Sequence, residues 1–589
     1  MNFTHRHLAG YWAAESLEKL GVSAVPAPPA TPRVEAERLK TPPPRAAKIP
    51  RGPSPLKGMK RGKAVRAVPQ AARIKAPLDE MFPHQVKALA RHAKGKHGII
   101  FSHGTGTGKT RTSALAAARV RSETGGKTLV VAPAGTRANY EKGHHKWMPD
   151  AKTQIVATGK TPIRGDDVAI ISYEAWKTRG PEFAAKGYDH VVFDEAHKGK
   201  DPERGVFKSM KEFRHLFKRY TPMTASLTST SPEDVYQLVD AMTGGDHDLG
   251  SSSEFRKRYL MTAGEEAGFL KRRRMTKREA GKIVGFKNEE ELGAKLKKFI
   301  HVADEEDLPK GTFPTAVPET VEVEMSPDQL ALYKHVLRTT GPGVRERLES
   351  DALTDADLVK LQKGYNSLSK ARAVSGGVHT MTTDLNFEDA IKHTPKARRL
   401  LEDAEAHIGE VGDAKIIIVT NLIKGGVDII EAGLKARGIS YGVFRGKGKG
   451  GTSEKERQAA LTAFQDGDQK VLLVSPAGFE GLDGPNATMV QSYDPHFNPE
   501  RVRQAEARGR RAGGLKHRAP KDRRVLVKRY VTKMPEKSGL AASLKRLVGM
   551  EDGDQHVEQK IYARAQQRHQ LNQRLKGIIR GRPRREYTL

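Results

Sequence analysis

Short apolar runs recur along the middle of the chain with a spacing that suits strands buried on both faces. Ile99-Ile100-Phe101, Leu129-Val130-Val131-Ala132, Val168–Ile171 and Val191-Val192-Phe193 are separated by stretches of helical spacing. Runs this short, without polar alternation, predict a parallel sheet covered by helices, an α/β arrangement. A second block, Ile416–Val419, Val471–Val474, Met489–Tyr493 and Val525–Val531, repeats the pattern. Between the blocks the pattern turns helical and charged, as in Pro327–Leu337 and Leu353–Leu368. The expected organisation is a first lobe over 78–242, a helical insertion and linker over 243–413, a second lobe over 414–535 and a basic helical tail over 536–589. Residues 1–77 are broken by proline, as at Thr41-Pro42-Pro43-Pro44, and read as a disordered arm with a short helix near Trp12–Leu20.

Composition narrows the function classes. The chain has 589 residues, too many for one ordinary domain. It has no cysteine, which excludes disulfide scaffolds, thiol catalysis and cysteine-ligated metal sites. No run of 18 apolar residues suits a membrane span, and Met1–Leu20 lacks an apolar signal core, so neither membrane insertion nor export is expected. The formal net charge is +33, and the arm alone carries 15 Lys/Arg against 4 Asp/Glu. A chain this basic is expected to meet a polyanion, with nucleic acid the default partner.

Three strings carry chemistry. His103-Gly104-Thr105-Gly106-Thr107-Gly108-Lys109-Thr110 follows a strand and opens the helical stretch Ser113–Arg121. Glycines there let backbone N–H groups approach phosphates at a helix N-terminus. Lys109 would hold the outer phosphates of ATP, and the Thr110 hydroxyl would ligate Mg2+. The strict pattern has glycine where this chain has His103. Asp194-Glu195-Ala196-His197, a DEAH string, follows Val191–Phe193; Asp194 would hold Mg2+ through water and Glu195 would orient the attacking water. No second ligand at helical spacing makes His197 a metal ligand. In Gln504–Gly513, Arg508 and Arg511 lie three apart on one helical face. They suit either charge stabilisation at a γ-phosphate or a contact to DNA phosphate.

With these strings the chain resembles the superfamily-two helicase motors, and among them the Swi/Snf-type DNA translocases. Phe82-Pro83-His84-Gln85, Leu129–Pro133 with Asn139-Tyr140 and Lys146-Trp147, and Ile171-Ser172-Tyr173-Glu174 resemble the motifs of its first lobe. So do Thr224-Ala225-Ser226 and Glu233–Leu238, and Leu308-Pro309-Lys310 with Val321–Met325 resembles the link into the second lobe. Ala477–Asp483 and Tyr493-Asp494-Pro495-His496-Phe497-Asn498-Pro499, running into Gln504, Arg508 and Arg511, resemble the motifs of the second. The chain departs from the pattern at Thr224-Ala225-Ser226-Leu227, where the family usually has Thr-Gly-Thr-Pro.

The resemblance implies two RecA-like lobes with ATP bound between them. It implies adenine recognition by Gln85, nucleotide contacts from Gly104 to Thr110 and from Asp483, and catalytic roles for Glu195, Gln504 and the arginine fingers Arg508 and Arg511. Thr224 and Ser226 would couple hydrolysis to movement. Thr136, Arg137, Asn139, Ser172, Tyr173 and Gly478 would contact nucleic acid. Double-stranded DNA is the partner the family implies, with single-stranded DNA or RNA as alternatives. A strand-separating helicase and a DNA-binding assembly protein with a vestigial motor are the rival readings. No chromatin-reading or zinc module is recognisable, so a compact bacterial or viral translocase is expected, working in the cytoplasm, or in the nucleus if the source is eukaryotic.

Overall fold

The expected α/β blocks form two parallel sheets. The computed structural model describes residues 81–133, 136–196, 206–228, 231–267, 275, 277–338, 373–377, 387–445, 451–475, 486–496, 499–511, 513–535 and 557–582. The basic arm, His197, Gly478 and Asp483 lie outside these residues. The first sheet contains β1 (Ile100–His103), β2 (Lys127–Val131), β3 (Thr153–Ile155), β4 (Val168–Ile171), β5 (Tyr188–Asp194) and β6 (Arg219–Thr224). A small antiparallel pair, β7 (Leu260–Thr262) and β8 (Ile283–Phe286), precedes β9 (Ile300–Ala303). The first sheet runs β3-β4-β2-β5-β6-β1-β9. The second runs β10-β15-β14-β11-β13-β12, built from β10 (Thr315–Glu324), β11 (Ile416–Val419), β12 (Tyr441–Phe444), β13 (Val471–Val474), β14 (Met489–Ser492) and β15 (Arg524–Lys533).

Each sheet has a hydrophobic core on both faces, which is why its strands read as unbroken apolar runs. In the first, Ile100, Val191 and Phe193 face one cluster around Trp176, while Phe101, Val130 and Val192 face the other. In the second, Ile416 and Ile418 face one side, and Ile417 and Val419 the other.

The segment expected to be only an insertion also supplies an edge strand to each sheet. Residues 300–303 pair with β1 in register Ile100↔Ile300 to His103↔Ala303, and β10 pairs with β15 along its whole length. Neither edge looked like a buried strand in the sequence. β9 is four residues with a histidine inside, and β10 alternates and is largely exposed.

The helices that matter for the site are α1 (Pro83–Lys94), α2 (Lys109–Thr124), α3 (Arg137–Trp147), α4 (Tyr173–Ala185), α5 (Glu289–Phe299), α6 (Pro395–Glu410), α7 (Pro499–Gly509) and α8 (Val557–Arg580). The last has 24 residues, roughly 36 Å at 1.5 Å per residue, and lies against both lobes. Its first turn is fixed to the second lobe: Glu558 pairs with Lys396 of α6 and accepts from Thr532 N at 2.9 Å. Its last turns are fixed to the first: Arg574 pairs with Glu289, and Lys576 with Asp304 at 2.7 Å. The basic tail is therefore helical as expected, but these cations serve the fold. Among the described residues, no helix is long and apolar enough to cross a membrane.

Candidate nucleotide and nucleic-acid site

The phosphate loop connects β1 to α2. Gly106 (φ 82°) and Gly108 (φ 84°) occupy the left-handed region, where a side chain would be strained. Gly108 is the N-cap residue of α2, and no side chain caps that end. The first N–H groups of α2 are thus directed at the site and favour an anion. Lys109 Nζ donates to the His103 carbonyl at 3.3 Å and stands 4.0 Å from Glu195 Oε1. The loop is tied internally by Thr107 Oγ1 donating to the Gly104 carbonyl at 2.8 Å.

His103 replaces the first glycine of the pattern because its side chain turns away from the loop, into the protein. It is fully buried, hydrogen-bonded to His301 of β9 at 2.9 Å, and packed at 5.1 Å on Phe101 and 5.4 Å on His84. Burial holds His301 down at about 3 and His103 well below the usual histidine value. These rings are therefore neutral near pH 7 and add no charge beneath the loop.

Gln85 lies behind the loop. As the third residue of α1 its side chain folds back, and Oε1 accepts from Phe82 N at 3.1 Å. Nε2 faces the carbonyls of Thr107 and Gly108 at 3.4 Å each, and the residue is fully buried. His84 reaches the same Thr107 carbonyl at 3.0 Å. The capping of α1 thus holds Gln85 against the phosphate loop.

Asp194 ends β5, and Glu195 follows it with φ 51°, a conformation that costs a non-glycine residue about 1–3 kcal/mol. That turn carries the Glu195 carboxylate back toward Lys109. Tyr173 is buried in the core, and its hydroxyl donates to the Asp194 carbonyl. It supports the acidic turn and is not exposed to a DNA backbone, contrary to the contact expected from its motif. Ser172 caps α4, its hydroxyl accepting from Ala175 N at 3.2 Å. Thr136 donates to the Pro133 carbonyl at 3.0 Å, Arg137 reaches the Val156 and Ala157 carbonyls at 3.4 Å, and Asn139 is exposed.

Thr224 and Ser226 form one buried turn: Thr224 Oγ1 accepts from Ser226 N at 3.1 Å and donates to its carbonyl at 2.8 Å. The departure at Leu227 has a structural answer. Proline has no N–H, whereas Leu227 N donates to Asn572 Oδ1 of α8 at 2.9 Å.

The two lobes meet at a cleft of about 450 Å³, within the range of small-ligand sites. Gly104, Thr105 and Ala225 line it from the first lobe, Arg503 and Ala507 from α7, Arg510 just beyond that helix, and Lys576 and Arg580 from α8. Arg510, which the sequence reading passed over, donates to the Pro314 carbonyl at 3.0 and 2.8 Å and pairs with Glu305 at 2.7 Å. Glu506 pairs with Arg529 at 2.7 Å. Gln504 and Arg508 lie on α7 and Arg511 just beyond its end, and none of the three is among the cleft-lining residues. Phe313, in the link between lobes, lies so close to the loop that a Cβ on Gly106 would stand 2.9 Å from its ring. Among the described residues no group of three His, Asp or Glu side chains forms a metal cage. A hydroxyl and a carboxylate, Thr110 and Asp194, are the hard oxygen donors at the loop.

The family model for the SNF2-related domain matches residues 84–389, and that for the helicase conserved C-terminal domain matches 398–513. Switch 2 of Arabidopsis thaliana is 22% identical over 531 residues, covering 76% of this chain and 60% of that protein. The RAD54-like DNA repair and recombination protein of Drosophila ananassae is 23% identical, covering 74% and 58%. The DNA repair protein rhp54 of Schizosaccharomyces pombe is 25% identical, covering 77% and 56%. The chain thus spans 60% or less of the length of these relatives. Among solved structures, the Sulfolobus solfataricus SWI2/SNF2 ATPase core in complex with dsDNA aligns at 20% identity and a TM-score of 0.35, covering 87% of this chain and 99% of that one. The Pyrococcus furiosus Hef helicase domain aligns at 16% and 0.43, covering 80% and 99%. With more than half of its length matched by the family model, and a second helicase domain following it, the chain belongs to the SNF2-related family.

Proposed function

We propose that the protein is an ATP-driven motor on double-stranded DNA. The observation that carries the reading is the Lys109–Glu195 arrangement: a phosphate-loop lysine and a carboxylate 4.0 Å apart, beside an uncapped helix N-terminus. Lys109 and the N–H groups of α2 hold the outer phosphates of ATP. Glu195 orients the attacking water and accepts its proton. Thr110 and Asp194 suit Mg2+, which prefers oxygen donors and few protein ligands, and which neutralises phosphate charge when bound. Arg508 and Arg511 bring positive charge from the second lobe to the transition state, so hydrolysis requires the lobes to close. Gln504 belongs to the same element. Thr224 and Ser226 sit at the end of β6, where they link the first lobe's site to α8 through Leu227 and Asn572.

Exposed Asn139 remains a candidate for grip on the DNA backbone, and the +33 charge supports binding with little sequence preference. The plant, insect and yeast relatives lend nothing to a bacterial or viral origin and suit a nuclear protein. ATP turnover measured with no nucleic acid, duplex DNA, single-stranded DNA and RNA tests the function. Duplex DNA should stimulate most. Equal turnover in all four would remove the motor reading, and preference for RNA would move it to an RNA helicase.

A further inference from the structure

The link between the lobes runs past the phosphate loop. At its start the Ala303 carbonyl accepts from Gly104 N at 2.7 Å, and a Cβ on Gly104 would stand 2.7 Å from Asp304 Oδ1. A turn follows, with Thr312 N donating to the Pro309 carbonyl at 3.1 Å. The next residue, Phe313, faces Gly106. A Cβ on Gly106 would meet two atoms of the Phe313 ring at 2.9 Å and, among the described residues, nothing else within 4 Å.

Phe313 is carried by the second lobe. The carbonyls on either side of it are held by the segment that follows α7. Gly513 N donates to the Thr312 carbonyl at 2.9 Å, and the Arg510 guanidinium donates to the Pro314 carbonyl at 3.0 and 2.8 Å. Thr315 N then donates to the Arg523 carbonyl at 2.7 Å, where β10 joins β15. One aromatic ring thus stands between a clasp of the second lobe and the phosphate loop of the first. The ring is half-buried and is not part of the apolar clusters described on the faces of the two sheets.

A loop with left-handed glycines at 106 and 108 has wide conformational freedom. Freedom that must be given up on binding phosphate weakens binding, and a loop ordered beforehand binds more tightly. A ring seated on Gly106 supplies that order. We propose that Phe313 is a positioning residue of the phosphate loop, through which the segment after α7 holds the loop in its phosphate-binding form. This rests on the reading of the loop as the ATP phosphate site. Separation of the lobes lifts the ring from Gly106 and loosens the loop, and closure seats it again.

The test is Phe313→Ala in the full chain, with ADP affinity measured by calorimetry and turnover measured on saturating duplex DNA. ADP affinity should fall about tenfold, the cost of ordering roughly one residue of backbone on binding. KM for ATP should rise by a similar factor while kcat changes less than about twofold, because the reacting groups are untouched. Phe313→Leu, which keeps apolar bulk, should recover most of the loss. Arg510→Met frees the Pro314 carbonyl and should weaken ADP to a similar extent. The double variant Phe313→Ala with Arg510→Met should bind no more weakly than either single one, because both act through one contact.

Unchanged ADP affinity in Phe313→Ala, with a loss in Lys109→Ala, would overturn the role of Phe313 alone. Unchanged affinity in both would overturn the reading of the loop as a phosphate site, and this proposal with it. Additive losses in the double variant would mean that Arg510 meets the nucleotide directly, and would overturn the route from the second lobe. A lowered unfolding midpoint with unchanged ADP affinity would make the ring a structural one and overturn the proposal.

Discussion

Two lysine–glutamate pairs mark the two lobes, and they are built in opposite ways. Lys396 and Glu558 join α6 to α8 with both carboxylate oxygens, at 2.7 and 2.9 Å, and are 1% and 0% exposed. Thr532 N adds a third bond to the carboxylate, and the Tyr493 ring lies 4.6 Å from the ammonium. Lys109 and Glu195 stand 4.0 Å apart, are 13% and 18% exposed, and face the loop between β1 and α2. Where the chain needs a fixed joint, it closes the pair and saturates it. At the phosphate loop the two charges stand at the edge of contact, and the lysine also donates to the His103 carbonyl. An ion pair by itself therefore says little about function; its length and its other partners say more.

Removing the open pair should have the largest effect. Lys109→Ala should lower turnover at least about a hundredfold and weaken ATP binding, because phosphate charge loses its cation. Glu195→Gln should lower turnover about 10²–10⁴-fold while ATP still binds. Neither should shift the unfolding midpoint much. Steady-state turnover, equilibrium nucleotide binding and thermal unfolding measure the three effects.

Breaking the closed pair should act on stability instead. Lys396→Met alone leaves Glu558 charged and buried and should cost about 3–5 kcal/mol in denaturant unfolding. Changing Glu558→Leu as well should recover most of that loss. A single variant as stable as the wild type would mean that Glu558 finds another partner or solvent.

A smaller contrast comes from buried histidines, which are concentrated in the first lobe. Burial lowers His92 to about 3, His144 to about 4 and His301 to about 3, and holds His103 and His190 well below the usual value. In the second lobe burial lowers His407. These groups are neutral when folded, whereas in the unfolded chain they take up protons as the pH falls through about 6.5. Their stabilisation is therefore full above 6.5 and is lost toward the folded values. Each contributes roughly 2 kcal/mol of loss by pH 5. Between pH 7 and 5, hydrogen exchange should accelerate in β1, β5 and β9 before β11 and β13. Equal acceleration in both lobes would contradict this contrast.

The phosphate loop, the acidic turn and most core strands were legible because each is a local string with its own spacing. The features that were missed depend on partners far along the chain. β9 and β10 become strands only by lying beside β1 and β15. Arg510 is tied to Glu305 and Pro314, some 200 positions away. The basic residues of α8 read only as a charged tail because their acids, Glu289 and Asp304, lie nearly 300 positions earlier. Tyr173 sits in a motif, yet no local signal shows its ring turning inward. Gln85 could have been suspected, since Pro83 opens a helix in which the third residue caps back.

The central claim is that the site is completed across the lobes, and Arg511→Ala tests it most directly. Single-turnover ATP hydrolysis on saturating duplex DNA should fall about 10³-fold, with ATP binding retained, because the arginine serves the transition state more than the bound substrate. Loss of DNA affinity with full turnover at saturating DNA would contradict it and make Arg511 a contact to the DNA backbone.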